Sequence, residues 1–202
     1  MDHAVALVET YLRINGYLTV AEYPVLETSR PGPAQTVTDM DILAIRLATA
    51  DERVTQERPA VDPALGASLD RSDMIVGEVK EGAPRLNRAL REPRALQAAL
   101  TRFGCCSAGE SGDVARRLLH HGRVVTPTGH SLRVVAFGNP HGAPAAGPWH
   151  TVSLDHVVGY LQQYLRTHWD RIGHSQIKDP TLGLLALIEK STRANHHAGA
   201  NS

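Results

Sequence analysis

Apolar and polar positions alternate along this chain in two distinguishable rhythms. From His3 to Asn15 the rhythm is helical: Val5, Val8 and Leu12 recur at i, i+3 and i+7, Ala4 and Tyr11 widen the stripe, and Gly16 follows as a stop. Glu9 falls beside Val8, at the edge of that apolar stripe. From Tyr17 to Thr28 the chain is β-branched and aromatic, with Pro24 inside it, which predicts a strand with an edge or a bend. Residues 29–35 carry turn chemistry, and Val37 to Leu47 predicts a second strand, apolar on both faces. Residues 49–72 are polar, contain proline and show no period, so they are expected to form a long loop. Asp73 to Lys80 predicts a third strand.

Leu and Ala alternate with Arg at helical spacing from Pro84 to Arg102, predicting one helix with Pro93 as its point of interruption. A short helix is expected over Val114–His121, ending at Gly122. Arg123 to Phe137 then predicts a hairpin turning at Thr128–Gly129, followed by a Gly- and Pro-rich loop over 138–148. A long helix from Leu154 to Ile172, with Ser153 as cap, precedes a last helix that opens at Asp179–Pro180 and runs to about Lys190. The order predicts an α/β chain: a single domain over 1–191, with its core in 3–137, a C-terminal helical addition in 153–191, and a disordered tail in 192–202.

Composition narrows the classes. No apolar run approaches the ~20 residues of a membrane-spanning helix, and no basic-then-apolar leader opens the chain, so a cytoplasmic protein with no membrane partner is expected. Cys105 and Cys106 are adjacent, which is neither a disulfide framework nor a zinc spacing. The 202 residues carry no net charge, but its distribution is uneven: residues 1–80 hold thirteen acidic and seven basic side chains, and residues 81–202 eight acidic and fourteen basic. Such a split suits an acidic half that holds cations and a basic half that meets a polyanion. Eleven histidines show no ligand spacing on a helix, and are expected to be surface or structural. Tyr160, Tyr164 and Trp169, among the apolar residues of the long helix, are expected in a core or on a partner-helix face.

The acidic half has a pattern with chemical content. Strand alternation puts Asp39, Asp41, Leu43 and Ile45 on one face, and Met74, Val76, Glu78 and Lys80 on one face of the next strand. If those faces coincide, Asp41 and Glu78 converge with Lys80 beside them. Two carboxylates brought together need a cation between them, which makes the pair a candidate site for Mg²⁺ or Mn²⁺.

A helix bearing Glu9, a strand bearing Asp41-Ile-Leu-Ala, and a strand ending Glu78-Val79-Lys80 resemble the PD-(D/E)xK nuclease superfamily, which includes restriction endonucleases and Holliday-junction resolvases. The resemblance implies an αβββαβ restriction-endonuclease-like core with a mixed central sheet, to which the C-terminal helices are added. It also implies a metal-dependent DNA endonuclease or related DNA-processing phosphodiesterase using Mg²⁺ or Mn²⁺. By motif, Asp41, Glu78 and the backbone carbonyl of Val79 hold the metal, Lys80 acts on the attacking water, Glu9 assists, and Asp39 is an additional acid. Met40 stands where many members carry proline, and the 49–72 insertion is long. Only three of the 21 basic residues are lysines, yet one of them occupies the motif position, where a compact ammonium suits a place beside a metal-bound water.

Arg85, Arg88, Arg91 and Arg94 recur every three residues after this motif. They are candidates for tracking DNA phosphates or, equally, the solvated face of an ordinary helix, and Arg116, Arg117, His120, His121, Arg123 and Arg133 could extend a basic surface. A different class stays open beside the enzyme: a catalytically weak or inactive module of the same fold, acting in nucleic-acid binding, as a homodimer or within a protein complex. No nucleophile elbow, P-loop or dinucleotide fingerprint supports another hydrolase or a nucleotide enzyme.

Overall fold

A computed structural model describes residues 2–27, 35–48, 61–139 and 147–199. The expected turn at 29–34, residues 49–60 of the long expected loop, and residues 140–146 of the loop after the hairpin lie outside the described residues. Two compact units are present, Met1–Leu154 and Asp155–Ser202.

The first unit opens with α1 (His3–Ile14). Asp2 caps it, its carboxylate accepting from the Ala4 amide at 2.8 Å, and Gly16 leaves it at φ +86°. Then come β1 (Leu18–Glu27), β2 (Gln35–Arg46) and β3 (Asp73–Val79). A 3₁₀ turn at Pro63–Leu65 interrupts the segment before β3. After β3 follow a second 3₁₀ turn at Ala89–Arg91, α2 (Pro93–Phe103), α3 (Ala108–His121), β4 (Arg123–Val125), β5 (Ser131–Phe137) and β6 (His150–Val152). The architecture is α/β with a mixed, open, six-stranded sheet in the order β1-β2-β3-β5-β4. β1, β2 and β3 are antiparallel neighbours, and β3 and β5 run parallel, joined by the α2–α3 crossover. β4 pairs with the first half of β5 and β6 with its second half, so the two short strands follow one another along the same edge of β5.

Alternation sorts the side chains onto two covered faces. Leu43, Met74, Val76, Leu132 and Val134 join Leu90, Leu96, Leu100, Val114 and Leu118 in one buried cluster, so α2 and α3 cover that face. The intervening residues Ile42, Ala44, Ile75, Val135 and Phe137 are also buried and lie on the opposite face, over which α1 lays Val5, Val8, Tyr11 and Leu12. Burial of each large side chain is worth about 1.5–3 kcal/mol, and a sheet covered on both faces reads as the near-continuous apolar runs seen in β3 and β5.

The pairing of β1 and β2 shifts register between Val25 and Leu26, and their pleat is irregular again near Glu22. Met40 and Leu43, three residues apart, both join the α2–α3 core, where unbroken alternation would put them on opposite faces. Glu22, between the pairs Ala21↔Ile42 and Tyr23↔Met40, has φ +52°, a conformation an L side chain adopts at a cost of about 1–3 kcal/mol.

Several elements depart from the sequence expectation. Residues 84–102 do not make one helix: α2 starts only at Pro93, because Pro93 has no N–H to give and holds Glu92 extended at φ −85°, ψ 123°. α3 begins at Ala108 rather than near Val114, and the signal was in the sequence: Ser107 and Glu110 have capping-box spacing, and the Glu110 carboxylate accepts from the Ser107 amide at 3.2 Å. β6 was not anticipated; three residues have no period of their own, and His150–Val152 is a strand only because the β5 edge is there to pair with.

The second unit holds α4 (Leu154–Thr167, from the unit boundary), α5 (Trp169–Ile172) and α6 (Pro180–Gly199). The expected single helix over 154–172 breaks at His168, whose φ −106°, ψ 18° is not helical. Val157, Leu161 and Leu165 form the buried stripe of α4. α6 continues past Lys190, so the segment expected to be a disordered tail from Thr192 is helical as far as Gly199. Glu189 supports the extension by pairing with Arg193 at 2.9 Å and with Arg166 at 3.2 Å, and Arg193 lies over the Trp169 ring at 4.6 Å. No helix among the described residues is long and apolar enough to cross a membrane.

Gly138 marks a close backbone approach just after β5. A Cβ there would lie 2.6 Å from the Gly82 carbonyl oxygen and 3.0 Å from the Pro84 Cα. Since both neighbours are backbone, Gly138→Ala is expected to cost about 1–3 kcal/mol, measured by urea unfolding; a change under about 0.5 kcal/mol would show the contact to be soft.

Candidate metal and phosphate site

Antiparallel pairing of β2 and β3 ends at Ile42↔Gly77, so Asp41 and Glu78 are the first residues beyond that pair on their strands. Where the ladder stops, the Val79 amide has no strand partner in β2, and the Asp41 carboxylate takes that place: Val79 N–H donates to Asp41 Oδ2 at 2.7 Å. On the other side of β3 the Lys80 amide still donates to the Phe137 carbonyl at 2.9 Å, which fixes the backbone of the motif. The Lys80 ammonium lies 2.5 Å from Glu78 Oε1 and 3.7 Å from Asp41 Oδ2, so the three side chains converge.

Their exposures differ in a way that matters. The Glu78 side chain is 0% exposed, that of Asp41 22% and that of Lys80 36%, so the group opens to solvent on the Lys80 side. Glu78 Oε1 is buried, and the partner that meets it is the Lys80 ammonium at 2.5 Å. Glu78 Oε2 accepts from Asn87 Nδ2 at 3.3 Å, and Asn87 Oδ1 accepts in turn from the Leu90 amide at 2.8 Å. Burial pushes the Glu78 carboxyl above its ordinary range; the Lys80 pair works against that shift and the Asp41 charge adds to it. For Lys80, burial pulls the ammonium down, but Glu78 and Asp41 together outweigh it and the net direction is up.

The other sequence-selected residues are placed elsewhere. Glu9 is 7% exposed, and its Oε1 pairs with Arg13 Nη2 at 2.6 Å and accepts from Thr19 Oγ1 at 3.0 Å. Thr19 lies opposite Ala44, on the α1 face, whereas Glu78 continues the row of Val76 on the α2–α3 face. Glu9 is thus not brought together with the other three. Asp39 is exposed and pairs in register with Pro24. Arg85, Arg88, Arg91 and Arg94 are all exposed, but they do not form a helical ridge: Arg91 lies in the 3₁₀ turn, Arg94 in the first turn of α2, and Arg85 and Arg88 precede both. Arg91 lies over the Trp149 ring at 5.9 Å.

Arg133 does not extend a basic surface. It is 1% exposed, and its guanidinium grips the Asp73 carboxylate, Nε to Oδ1 at 2.9 Å and Nη2 to Oδ2 at 2.6 Å. Tyr17 donates to Asp73 Oδ2 at 2.6 Å, and Arg133 Nη1 donates to the Leu65 carbonyl at 2.6 Å. Three consecutive carbonyls of the 3₁₀ turn before β3 are held by separate side chains, Ala64 by His150 at 2.6 Å, Leu65 by Arg133, and Gly66 by Arg123. None of this was visible in the sequence, where Arg133 was one arginine among eighteen.

Burial drives two further groups upward: Cys105, to about 12, with the neighbouring Cys106 adding to it, and Tyr17, with the Asp73 charge adding to it. A folded-state value above the unfolded one means that the folded chain keeps protons the unfolded chain has released. That stability is present in full below about pH 9, the ordinary thiol value, and is lost as pH rises toward 12. Unfolding midpoints in urea are therefore expected to fall steadily between pH 9 and 11, and a flat profile there would contradict the burial of these groups.

Comparison of the chain with protein-family models, with curated proteins and with solved structures returns no match. Among the described residues no group of three or more His, Cys, Asp and Glu side chains gathers as a closed metal site. The donors present are two carboxylates and neighbouring backbone carbonyls, which fits a hard divalent cation that keeps several waters rather than a structural zinc. Glu78 Oε1, buried and met by the Lys80 ammonium, is the oxygen that such a cation would share with Asp41.

Proposed function

We propose that this chain is a metal-dependent nuclease that hydrolyses phosphodiester bonds in DNA, built on a restriction-endonuclease-like core. The observation that carries the reading is the convergence of Asp41, Glu78 and Lys80 at the end of the β2–β3 pairing, with the Glu78 side chain fully buried and Lys80 opening to solvent. The order helix, three antiparallel strands and crossover helices, with the parallel strand β5 following the short β4, supports the αβββαβ core that the motif resemblance implies.

Asp41, Glu78 and the Val79 carbonyl are the groups that would hold Mg²⁺ or Mn²⁺. Such an ion supplies a lowered pKa for water and neutralisation of charge developing on the phosphate oxygens. The chain's own residues do the rest. Val79 N–H fixes the Asp41 carboxylate through Oδ2, the oxygen that also lies 3.7 Å from the Lys80 ammonium. Lys80, one-third exposed and already shared between two carboxylates, orients the attacking water and balances charge on the phosphate. Arg85, Arg88, Arg91 and Arg94, exposed on the segment that follows, would meet phosphates of the duplex.

The test is nicking of supercoiled plasmid by the full chain in Mg²⁺ or Mn²⁺, with EDTA and Asp41→Ala as controls. Metal-dependent nicking that Asp41→Ala abolishes is the expected result. Activity that survives both EDTA and Asp41→Ala would discard the assignment. Absence of cleavage together with metal-independent DNA binding would favour a binding module of the same fold. Glu9→Gln separates the two faces of the sheet: it is expected to keep cleavage within a few-fold of wild type and to lower stability by about 0.5–1.5 kcal/mol through the lost Arg13 and Thr19 contacts.

A further inference from the structure

The two oxygens of Glu78 have different surroundings: Oε1 meets Lys80, whereas Oε2 is held by the amide of Asn87. That amide has one workable orientation. Its nitrogen meets a carboxylate and its oxygen meets the Leu90 N–H, so a flipped amide would place oxygen on oxygen and N–H on N–H. The segment bearing Asn87 is anchored on both sides, by Leu86 and Leu90, which are buried in the α2–α3 core. Asn87 thus reaches Glu78 from a backbone segment anchored by its buried neighbours.

We infer that Asn87 is a positioning residue of the metal site: by holding Glu78 through Oε2 it leaves Oε1, the oxygen that meets the Lys80 ammonium, on the side of Asp41 and Lys80. The inference rests on the metal-site reading above and extends it to a residue outside the motif. Only a side chain that donates at one tip and accepts at the other does both tasks. Serine could still accept from the Leu90 N–H, as it does at helix starts, but it is too short to reach Glu78. Arg85 and Arg88 flank Asn87 closely in the chain, so the same segment that presents basic groups to a duplex also sets the carboxylate.

The experiment is calorimetric titration of Mn²⁺ into wild type, Asn87→Ser and Asp41→Ala, with melting temperatures measured alongside. Wild type is expected to bind and Asp41→Ala to lose binding. Asn87→Ser is expected to melt near wild type and yet bind Mn²⁺ about 10–100-fold more weakly, a split that a purely structural role would not produce. Binding of Mn²⁺ by Asn87→Ser with unchanged Kd, while Asp41→Ala fails to bind, overturns the inference and leaves the site reading standing. No binding by wild type at millimolar Mn²⁺, with or without duplex DNA, overturns the site reading and the inference with it. Should Asn87→Ser fail to fold, Mg²⁺ titration of the wild type followed at the Asn87 side-chain amide resonances decides: a shift supports the inference, and resonances that stay fixed while others move overturn it.

Discussion

Lys80→Ala is expected to lower metal-dependent plasmid cleavage by about 10²–10³-fold, the usual cost of removing one group aimed at transition-state charge. Metal binding should survive, because Lys80 is a competitor for the carboxylates rather than a ligand: its ammonium lies 2.5 Å from Glu78 Oε1 and 3.7 Å from Asp41 Oδ2, where it supplies the positive charge the pair requires. Removing it leaves two carboxylates facing one another, one of them fully buried. The variant is therefore expected to melt lower than wild type in EDTA and to recover most of that loss in millimolar Mn²⁺, a metal dependence of stability larger than that of wild type. Lys80→Arg should not restore cleavage, since a planar guanidinium fork cannot replace a compact ammonium between two oxygens. Cleavage by Lys80→Ala within about threefold of wild type would remove Lys80 from the chemistry, and equal metal dependence of melting in both proteins would show that it does not share the carboxylates with a cation.

The second large effect concerns stability, at the other end of β3. Asp73→Asn is expected to destabilise the first unit by about 3–5 kcal/mol, measured by urea unfolding. Asp73 and Arg133 are 0% and 1% exposed, and neutralising the acid leaves a buried guanidinium without its counter-charge. Tyr17→Phe should cost less, about 1.5–3 kcal/mol, since it removes one hydrogen bond to a charged group and leaves the ion pair intact. Replacing Asp73 and Arg133 together by apolar residues of similar volume should cost much less than the sum of the single replacements, because the expense lies in the orphaned partner rather than in the pair. Because Asp73 begins β3 and Glu78 lies at its far end, cleavage per folded molecule should be unchanged in Tyr17→Phe. A loss below about 1 kcal/mol in Asp73→Asn would mean that water reaches Arg133.

Much of the α/β pattern was legible because its signals are local. The 3.6-residue stripe of Val5, Val8 and Leu12 needs no tertiary partner to be recognised, nor do the apolar runs of β2 and β3 or the hairpin turning before Gly129. The E-x-K strand and its upstream aspartate were legible for the same reason, since alternation alone puts Glu78 and Lys80 on one face. The errors arose where local signals compete or are missing. Leu and Arg spacing over 84–102 fits a helix, but Pro93 breaks it, so the arginines present themselves from turns and from the first turn of α2. Arg133 alternates like any strand residue, and nothing in its neighbours in sequence announces that Asp73, 60 positions away, will lie beneath it.

The sequence by itself determined which residues could carry charge to a common point and on which kinds of element they lie, because periodicity and residue chemistry are properties of neighbours in the chain. Only the tertiary structure decided which charges meet. The end of the β2–β3 ladder left Asp41 and Glu78 just beyond its last pair and freed the Val79 amide for Asp41, and the path of the chain after Lys80 delivered Asn87 to Glu78. The same packing placed Glu9 over Thr19 on the other side of the sheet. Long-range pairing depends on how whole elements bury their apolar faces, so a side chain's partner follows from the fold rather than from its place in the sequence.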